Sequence, residues 1–300
     1  MITRREGLLA AAGLPAASLA AAEGTVPKVR FGQHTISRLI VGGNPVSGNS
    51  HLSGELSREM LDYFSAANVK KMLRDCEQAG INTWQSRGDR HIMRLLREYH
   101  LEGGQIQWIA QTASEFASIP RNIAEIASYK PIGIYHHGTR TDAFWKAGTI
   151  DQANEMLKAI RQTGVRVGLG THIPEVIDYV ESKGWDLDFY MTCVYNIERS
   201  RQEAERVAGR KFEGEFFWDP DREKMLQRVR QTTKQCLIFK VYGASRKCET
   251  PDDMLSALRL ACNYAKPVDA IVVGMFPKHK EQVRQNCHLL MKALEAARPS

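Results

Sequence analysis

The feature that most constrains this chain is a repeating alternation. From about residue 36 a short apolar run is followed by an amphipathic helical stretch, and the pattern recurs. The eight runs read SRLIVGG, INTWQS, IQWIAQT, IGIYHH, VRVGLGTH, LDFYMTCVYN, CLIFKVYG and DAIVVGM. Between them apolar residues fall at helical spacing. Val69, Met72, Leu73 and Cys76 stand at i, i+3, i+4 and i+7, and Val283, Cys287, Leu290 and Leu294 form a similar stripe. Gly80, Gly164 and Gly184 lie just before the next run, where glycine supplies the left-handed residue that ends a helix. Alternating strands and helices build right-handed crossover units and a parallel sheet. Eight such units predict a closed (β/α)8 TIM barrel, which typically needs about 250 residues. An open doubly wound sheet would carry a GxGxxG turn after its first strand. Here that turn reads VGGNPVSG. The segment KVRFGQHTIS ahead of the first run predicts a small N-terminal hairpin over the barrel's bottom.

The first 22 residues stand apart from this pattern. Arg4 and Arg5 precede a mild Ala/Leu run that ends in Ala20, Ala21 and Ala22. That order matches the charged, apolar and small-residue regions of an export signal, and the paired arginines indicate the twin-arginine route. The expectation is that residues 1–22 are removed. A single barrel domain, 23–300, then resides in the periplasm or another extracytoplasmic space. The apolar stretch is shorter than the roughly 20 residues of a membrane span, so no stable membrane anchor is expected. Of the six cysteines (Cys76, Cys193, Cys236, Cys248, Cys262 and Cys287) none stands in CxxC spacing. This argues against a zinc ribbon or an iron–sulfur motif, although an oxidising compartment permits disulfides. The net charge of +7 is spread along helical faces and forms no tract, so nucleic acid is not an expected partner. Hydrophobic and charged contents of 43% and 25% are those of a globular protein with a large core.

In a TIM barrel the active site lies at the C-terminal ends of the strands. Here those ends carry Asn44, Gln85, Arg87, Gln111, Thr112, His136, His137, Thr171, His172, Cys193, Tyr195, Asn196, Lys240 and Tyr242. Neighbouring strand residues point to opposite faces, so only one of His136 and His137 can face the mouth. Two long loops flank it, one after the first strand and one over residues 196–220. No Asp or Glu ends a strand, which weakens a carboxylate-based metal hydrolase. Asp89, His51 and Glu55 could still fold in from loops.

Several segments carry a family likeness. FGQHTISRLIVGGNP, CEQAGINTWQS, VRVGLGTHIPEV, DFYMTCVYN and VDAIVVGMFPKHKEQVRQN, in that order, resemble the aldo-keto reductase superfamily over most of residues 30–295. The resemblance implies an oxidoreductase that acts with NADP on a small carbonyl compound or sugar. Of that family's Tyr, Asp, Lys and His tetrad, the histidine maps onto His137. The aspartate position holds Gln85, the lysine position falls at Gln111 or Thr112, and SRGDRHIMR offers no tyrosine. Lys278, Lys280, Gln282, Gln285 and Asn286 stand where the family binds the adenosine phosphate. Met191 and Thr192 replace the glutamine that meets the nicotinamide. The mapping aims His137 at the cavity and His136 at the helix layer.

Two enzymatic readings follow. In the first, His137, His172, Lys240, Gln85 and Tyr195 serve an exported reductase. In the second, the hydride is dropped. His137, His172 and Lys240 then perform acid–base or metal-assisted chemistry, as a lyase, isomerase or hydrolase, on a sugar-like substrate. His137, His172 and His51 are the candidate ligands of a divalent metal in that case. A catalytically inactive binding protein is the third reading. The partner in every case is a small molecule, and oligomeric state is not specified.

Overall fold

The eight apolar runs pair edge to edge and close into a parallel barrel in the computed structural model, which describes residues 25–211 and 214–297. Residues 1–22, read above as an export signal, lie outside the described residues. The strands are β1 (Lys28–Phe31), β2 (His34–Ser37), β3 (Leu39–Gly42), β4 (Thr83–Arg87), β5 (Gln107–Gln111), β6 (Gly133–His136), β7 (Arg166–Thr171), β8 (Phe189–Cys193), β9 (Gln235–Phe239) and β10 (Ala270–Gly274). The helices are α1 (Gly54–Tyr63), α2 (Ala66–Gln78), α3 (Arg90–Leu101), α4 (Ile119–Ala127), α5 (Gly138–Lys146), α6 (Asp151–Arg161), α7 (Pro174–Ser182), α8 (Arg201–Ala208), α9 (Pro220–Gln231), α10 (Pro251–Tyr264) and α11 (Gln282–Ala296). Strands β3 to β10 follow one another around the barrel, and β10 pairs with β3 to shut it. The expected (β/α)8 TIM barrel and N-terminal hairpin are both present. Gly80, Gly164 and Gly184 have φ of 87°, 79° and 61°, the left-handed geometry that stops a helix.

Alternation along each strand separates two apolar layers. Outward-facing Leu39, Val41, Trp84, Ile134, Leu169 and Ile238 pack under the helices. Inward-facing Ile40, Ile109, Tyr135, Phe189, Met191, Leu237 and Val272 fill the barrel. The antiparallel β1–β2 hairpin plugs the bottom by inserting Phe31 and Ile36 into that inner layer. The Phe31 and Phe189 rings meet edge to face at 5.0 Å, and the Arg166 guanidinium lies 4.6 Å over Phe31. Gly168 makes room for this packing, since a Cβ there would sit 2.3 Å from Phe189. Among the described residues no helix is long and apolar enough to cross a membrane.

Candidate active site at the barrel mouth

The inward positions turn polar one pleat above the apolar filling. The Gln85 amide donates to the Tyr135 hydroxyl at 2.8 Å, and Gln111 also hydrogen-bonds that hydroxyl. Burial drives the Tyr135 phenol far above its ordinary pKa, so it stays neutral. These three residues form a hydrogen-bonding floor.

The two histidines after Tyr135 part company. His136 is buried against α5, with Nδ1 2.9 Å from Thr141 Oγ1 and its ring stacked on Phe144. His137 is partly exposed at the start of α5, and its backbone N–H donates to Thr112 Oγ1 at 3.0 Å. Its Nδ1 is buried without a hydrogen-bond partner. Burial lowers the His137 pKa to about 3, helped by the nearby basic groups of His172, His136, Arg87 and Lys240. The imidazole is therefore neutral at ordinary pH.

His172 has the opposite character. It follows β7, is 4% exposed, and puts Nδ1 2.7 Å from Asp142 Oδ2. That same oxygen accepts the His172 backbone N–H at 3.0 Å, while Asp142 Oδ1 accepts the Thr171 hydroxyl at 2.5 Å. Burial by itself would lower the His172 pKa. The Cys193 sulfur and the Asp142 carboxylate outweigh it and push the value up to about 10. Two imidazoles in one mouth are thus driven apart, one held charged and one held neutral.

His51 and Lys240 make a third group. His51 sits in the loop after β3 at φ 55°, and Lys240 follows β9 at φ 59°. His51 Nε2 lies 3.2 Å from both Lys240 Nζ and Asn44 Nδ2. Asn44 Nδ2 can only donate, so Nε2 is the acceptor and the His51 proton sits on Nδ1. From there it is donated to Glu215, whose oxygens are 2.8 and 2.9 Å away. Burial lowers the pKa of His51, and also that of Lys240, where the nearby Cys193 sulfur and the Glu215 and Glu198 carboxylates offset it only in part.

The remaining expected residues lie elsewhere. Tyr195 is buried beneath the loop after β8, donates to Asp219 at 3.2 Å and packs on Phe217. Its role there is to hold that loop. The ligand trio His137, His172 and His51 is not what the structure groups as a metal site, since His51 is engaged by Glu215, Asn44 and Lys240. Asp142, His172 and Glu198 instead bring potential ligand atoms within 4.8 Å of one another and could hold a metal. As it stands this donor set is already occupied by protein contacts. Both Asp142 oxygens accept protein hydrogen bonds, His172 Nδ1 faces Asp142, and Glu198 accepts from Thr139 and pairs with Lys146 at 3.3 Å. The set fits the orientation of an imidazole better than the binding of an ion. Asp142, Glu198 and Glu215 were not found by sequence reasoning. The one available signal was Asp142 in GTRTD, on the helix that follows the paired histidines.

A cleft of about 370 Å³ runs from Asn44, His51, Gln85 and Lys240 along the loops after β9 and β10 to α11. It reaches four of the five residues expected to bind NADP, Lys278 lying outside it, and three of the five are already committed. Lys278 pairs with Glu59 at 2.8 Å, Gln282 Oε1 accepts the Phe276 N–H at 2.7 Å, and Asn286 accepts from the Tyr242 hydroxyl at 2.8 Å. Lys280 and Gln285 line the wall. No observation supports NADP.

No family model and no curated protein matches the chain. Solved structures do. A truncated 3-deoxy-D-arabino-heptulosonate 7-phosphate synthase from Thermotoga maritima is 12% identical with a TM-score of 0.53, covering 91% of this chain and 92% of that one. Gox0644 in its apo form is 10% identical with a TM-score of 0.51, covering 92% and 95%. An N-acetylmannosamine-6-phosphate 2-epimerase from Clostridium perfringens is 13% identical with a TM-score of 0.47, covering 79% and 85%. At these identities the likeness shows the barrel fold alone. Of the two structures with a TM-score above 0.5, the one named as an enzyme is a synthase, and neither is named as an aldo-keto reductase. The aldo-keto reductase resemblance is thereby overturned, and the oxidoreductase reading with it. The segments that suggested it form the bottom hairpin, strands β3, β4, β7, β8 and β10 and the start of the last helix, so they belong to the barrel's framework.

Proposed function

We propose that the chain is a barrel enzyme performing acid–base chemistry, of the lyase or isomerase type, on a small sugar-like substrate. The observation that carries this is the contrast between the two mouth histidines: His172 Nδ1 is held 2.7 Å from Asp142 Oδ2, His137 Nδ1 has no hydrogen-bond partner, and their pKa values are driven in opposite directions. Titratable groups pushed apart by their environments are how one site supplies both an acid and a base at neutral pH. His172, oriented by Asp142, donates a proton to a carbonyl oxygen. His137, neutral and with an unengaged Nδ1, accepts one from an adjacent carbon or hydroxyl. Such proton transfers typically contribute about 10²–10⁴-fold in rate. Gln85, Gln111 and Asn44 supply hydrogen-bonding partners for hydroxyl groups, which is the support for a polar, sugar-like ligand.

The test is solvent exchange. The mature chain in D2O is offered aldoses, ketoses and their phosphate esters, and proton NMR follows the C–H beside the carbonyl. Exchange that disappears in His172→Ala supports the reading. No exchange with any of these compounds removes it. A metal-assisted version would seat a divalent ion among Asp142, His172 and Glu198, and it predicts that exchange is lost with a chelator and restored by the ion.

We also propose export by the twin-arginine route. Replacing Arg4 and Arg5 by lysine should block it, and the intact mass of the exported protein should lack residues 1–22.

A further inference from the structure

We infer that Lys240 is a covalent catalyst whose ε-amine condenses with the substrate carbonyl to form an imine. The inference deepens the acid–base reading and rests on it for the presence of a carbonyl substrate. Four observations converge. Lys240 lies at the C-terminal end of β9 and lines the mouth end of the cleft, so a ligand there reaches its amine. Its hydrogen-bond partner is His51 Nε2, which the Asn44 and Glu215 contacts fix as an acceptor. Among the described residues no carboxylate lies within 4.0 Å of its Nζ, whereas the part-buried Lys70 and Lys266 are ion-paired. Its backbone holds φ 59°, in the left-handed region that a residue with a Cβ rarely occupies, and such strain gathers at functional sites.

An amine that faces an imidazole lone pair rather than a carboxylate has little to hold its extra proton. Burial lowers its pKa further. A desolvated lysine of this kind is a nucleophile. The step balances as follows. The Nζ lone pair attacks the carbonyl carbon, forming a C–N bond as the C=O π pair moves to oxygen. That oxygen takes a proton from the His172 imidazolium, and Nζ gives one to His51 Nε2, leaving a carbinolamine. His51 returns its proton to the hydroxyl, which departs as water while the nitrogen lone pair forms C=N. The products are a protonated imine and one water, with no oxidant or reductant involved. The cationic imine then acidifies the neighbouring C–H or C–C bond, whose electrons it accepts when His137 removes a proton.

The experiment is reductive trapping at pH 7. The protein is incubated with dihydroxyacetone, glyceraldehyde or pyruvate and sodium cyanoborohydride, and adducts are mapped by peptide mass spectrometry. The expected result is one adduct on the Lys240 peptide, at least tenfold above any other lysine, that is lost in Lys240→Met. Labelling spread evenly over surface lysines, or none at Lys240 with all three probes, overturns the inference. Mapping on the unaltered protein decides the matter even if Lys240→Met fails to fold. His51→Asn gives a second reading, with Lys240 labelling expected to fall at least fivefold while surface lysines are unchanged. The two proposals fail separately. Deuterium exchange without a trapped adduct leaves the acid–base reading and removes the imine, and an adduct without exchange does the reverse.

Discussion

His51 and Lys240 are 189 residues apart in the chain, yet His51 Nε2 and Lys240 Nζ stand 3.2 Å from each other across the barrel mouth. The loop after β3 carries one, and the end of β9 carries the other. Glu215, from the loop after β8, anchors the far side of the same imidazole. Three separate stretches of chain must be in place before the lysine has its partner, so the reactive arrangement exists only in the folded molecule.

Glu215 is the remote member of this relay, and its charge raises the Lys240 pKa. Glu215→Gln should therefore lower that pKa further. Trapping of Lys240 should then persist to more acidic pH than in the unaltered protein. The pH profile of adduct formation measures this, and an unmoved profile would show that Glu215 only tethers the loops.

His172 makes stability depend on pH in a definite direction. Its folded pKa of about 10 lies above its ordinary value of 6.5. The fold binds that proton more tightly than the unfolded chain does. This contribution is complete below about pH 6.5 and drains away as pH rises towards 10. Urea unfolding midpoints should fall across that window. In Asp142→Asn the fall should flatten, and the His172 ring resonance should titrate at lower pH by NMR.

Gly168 tests the plugged interior. A methyl group there would lie 2.3 Å from Phe189 and 2.7 Å from the Tyr135 Cβ. Gly168→Ala should destabilise the barrel by about 1–3 kcal/mol through overpacking. Chemical denaturation gives the value. No change would mean that the two rings shift freely.

Lys240→Gly separates chemistry from stability. Relief of left-handed strain is worth about 1–2 kcal/mol, and glycine's extra freedom in the unfolded chain costs about 0.5–1 kcal/mol in return. The melting temperature should hold or rise slightly while imine trapping vanishes. A large loss of stability would assign the lysine a packing role instead.

The barrel was legible in the sequence because parallel strands buried on both faces read as continuous apolar runs. IGIYHH and DAIVVGM are such runs, and the glycines that end helices punctuate them. Strand-end side chains such as Gln85, His172 and Lys240 were legible for a related reason, since a two-residue period is local. Asp142, Glu198 and Glu215 were not. Each reaches the mouth from a helix face or a long loop, and no period in the sequence says where such a segment turns. The family resemblance misled because it rested on features that serve barrel closure rather than chemistry. The residues read as an adenosine site show this well, since Gln282 and Asn286 spend their amides on Phe276, Tyr242 and their own helix.

The hairpin beneath the barrel has a kinetic consequence. With Phe31 and Ile36 wedged among the inner side chains, the mouth is a dead end. Whatever enters over Lys240 can leave only on the mouth side, past the loops after β3, β9 and β10 that wall the cleft. Product leaving and substrate arriving therefore compete for one corridor, and accumulated product should slow turnover as a competitive inhibitor.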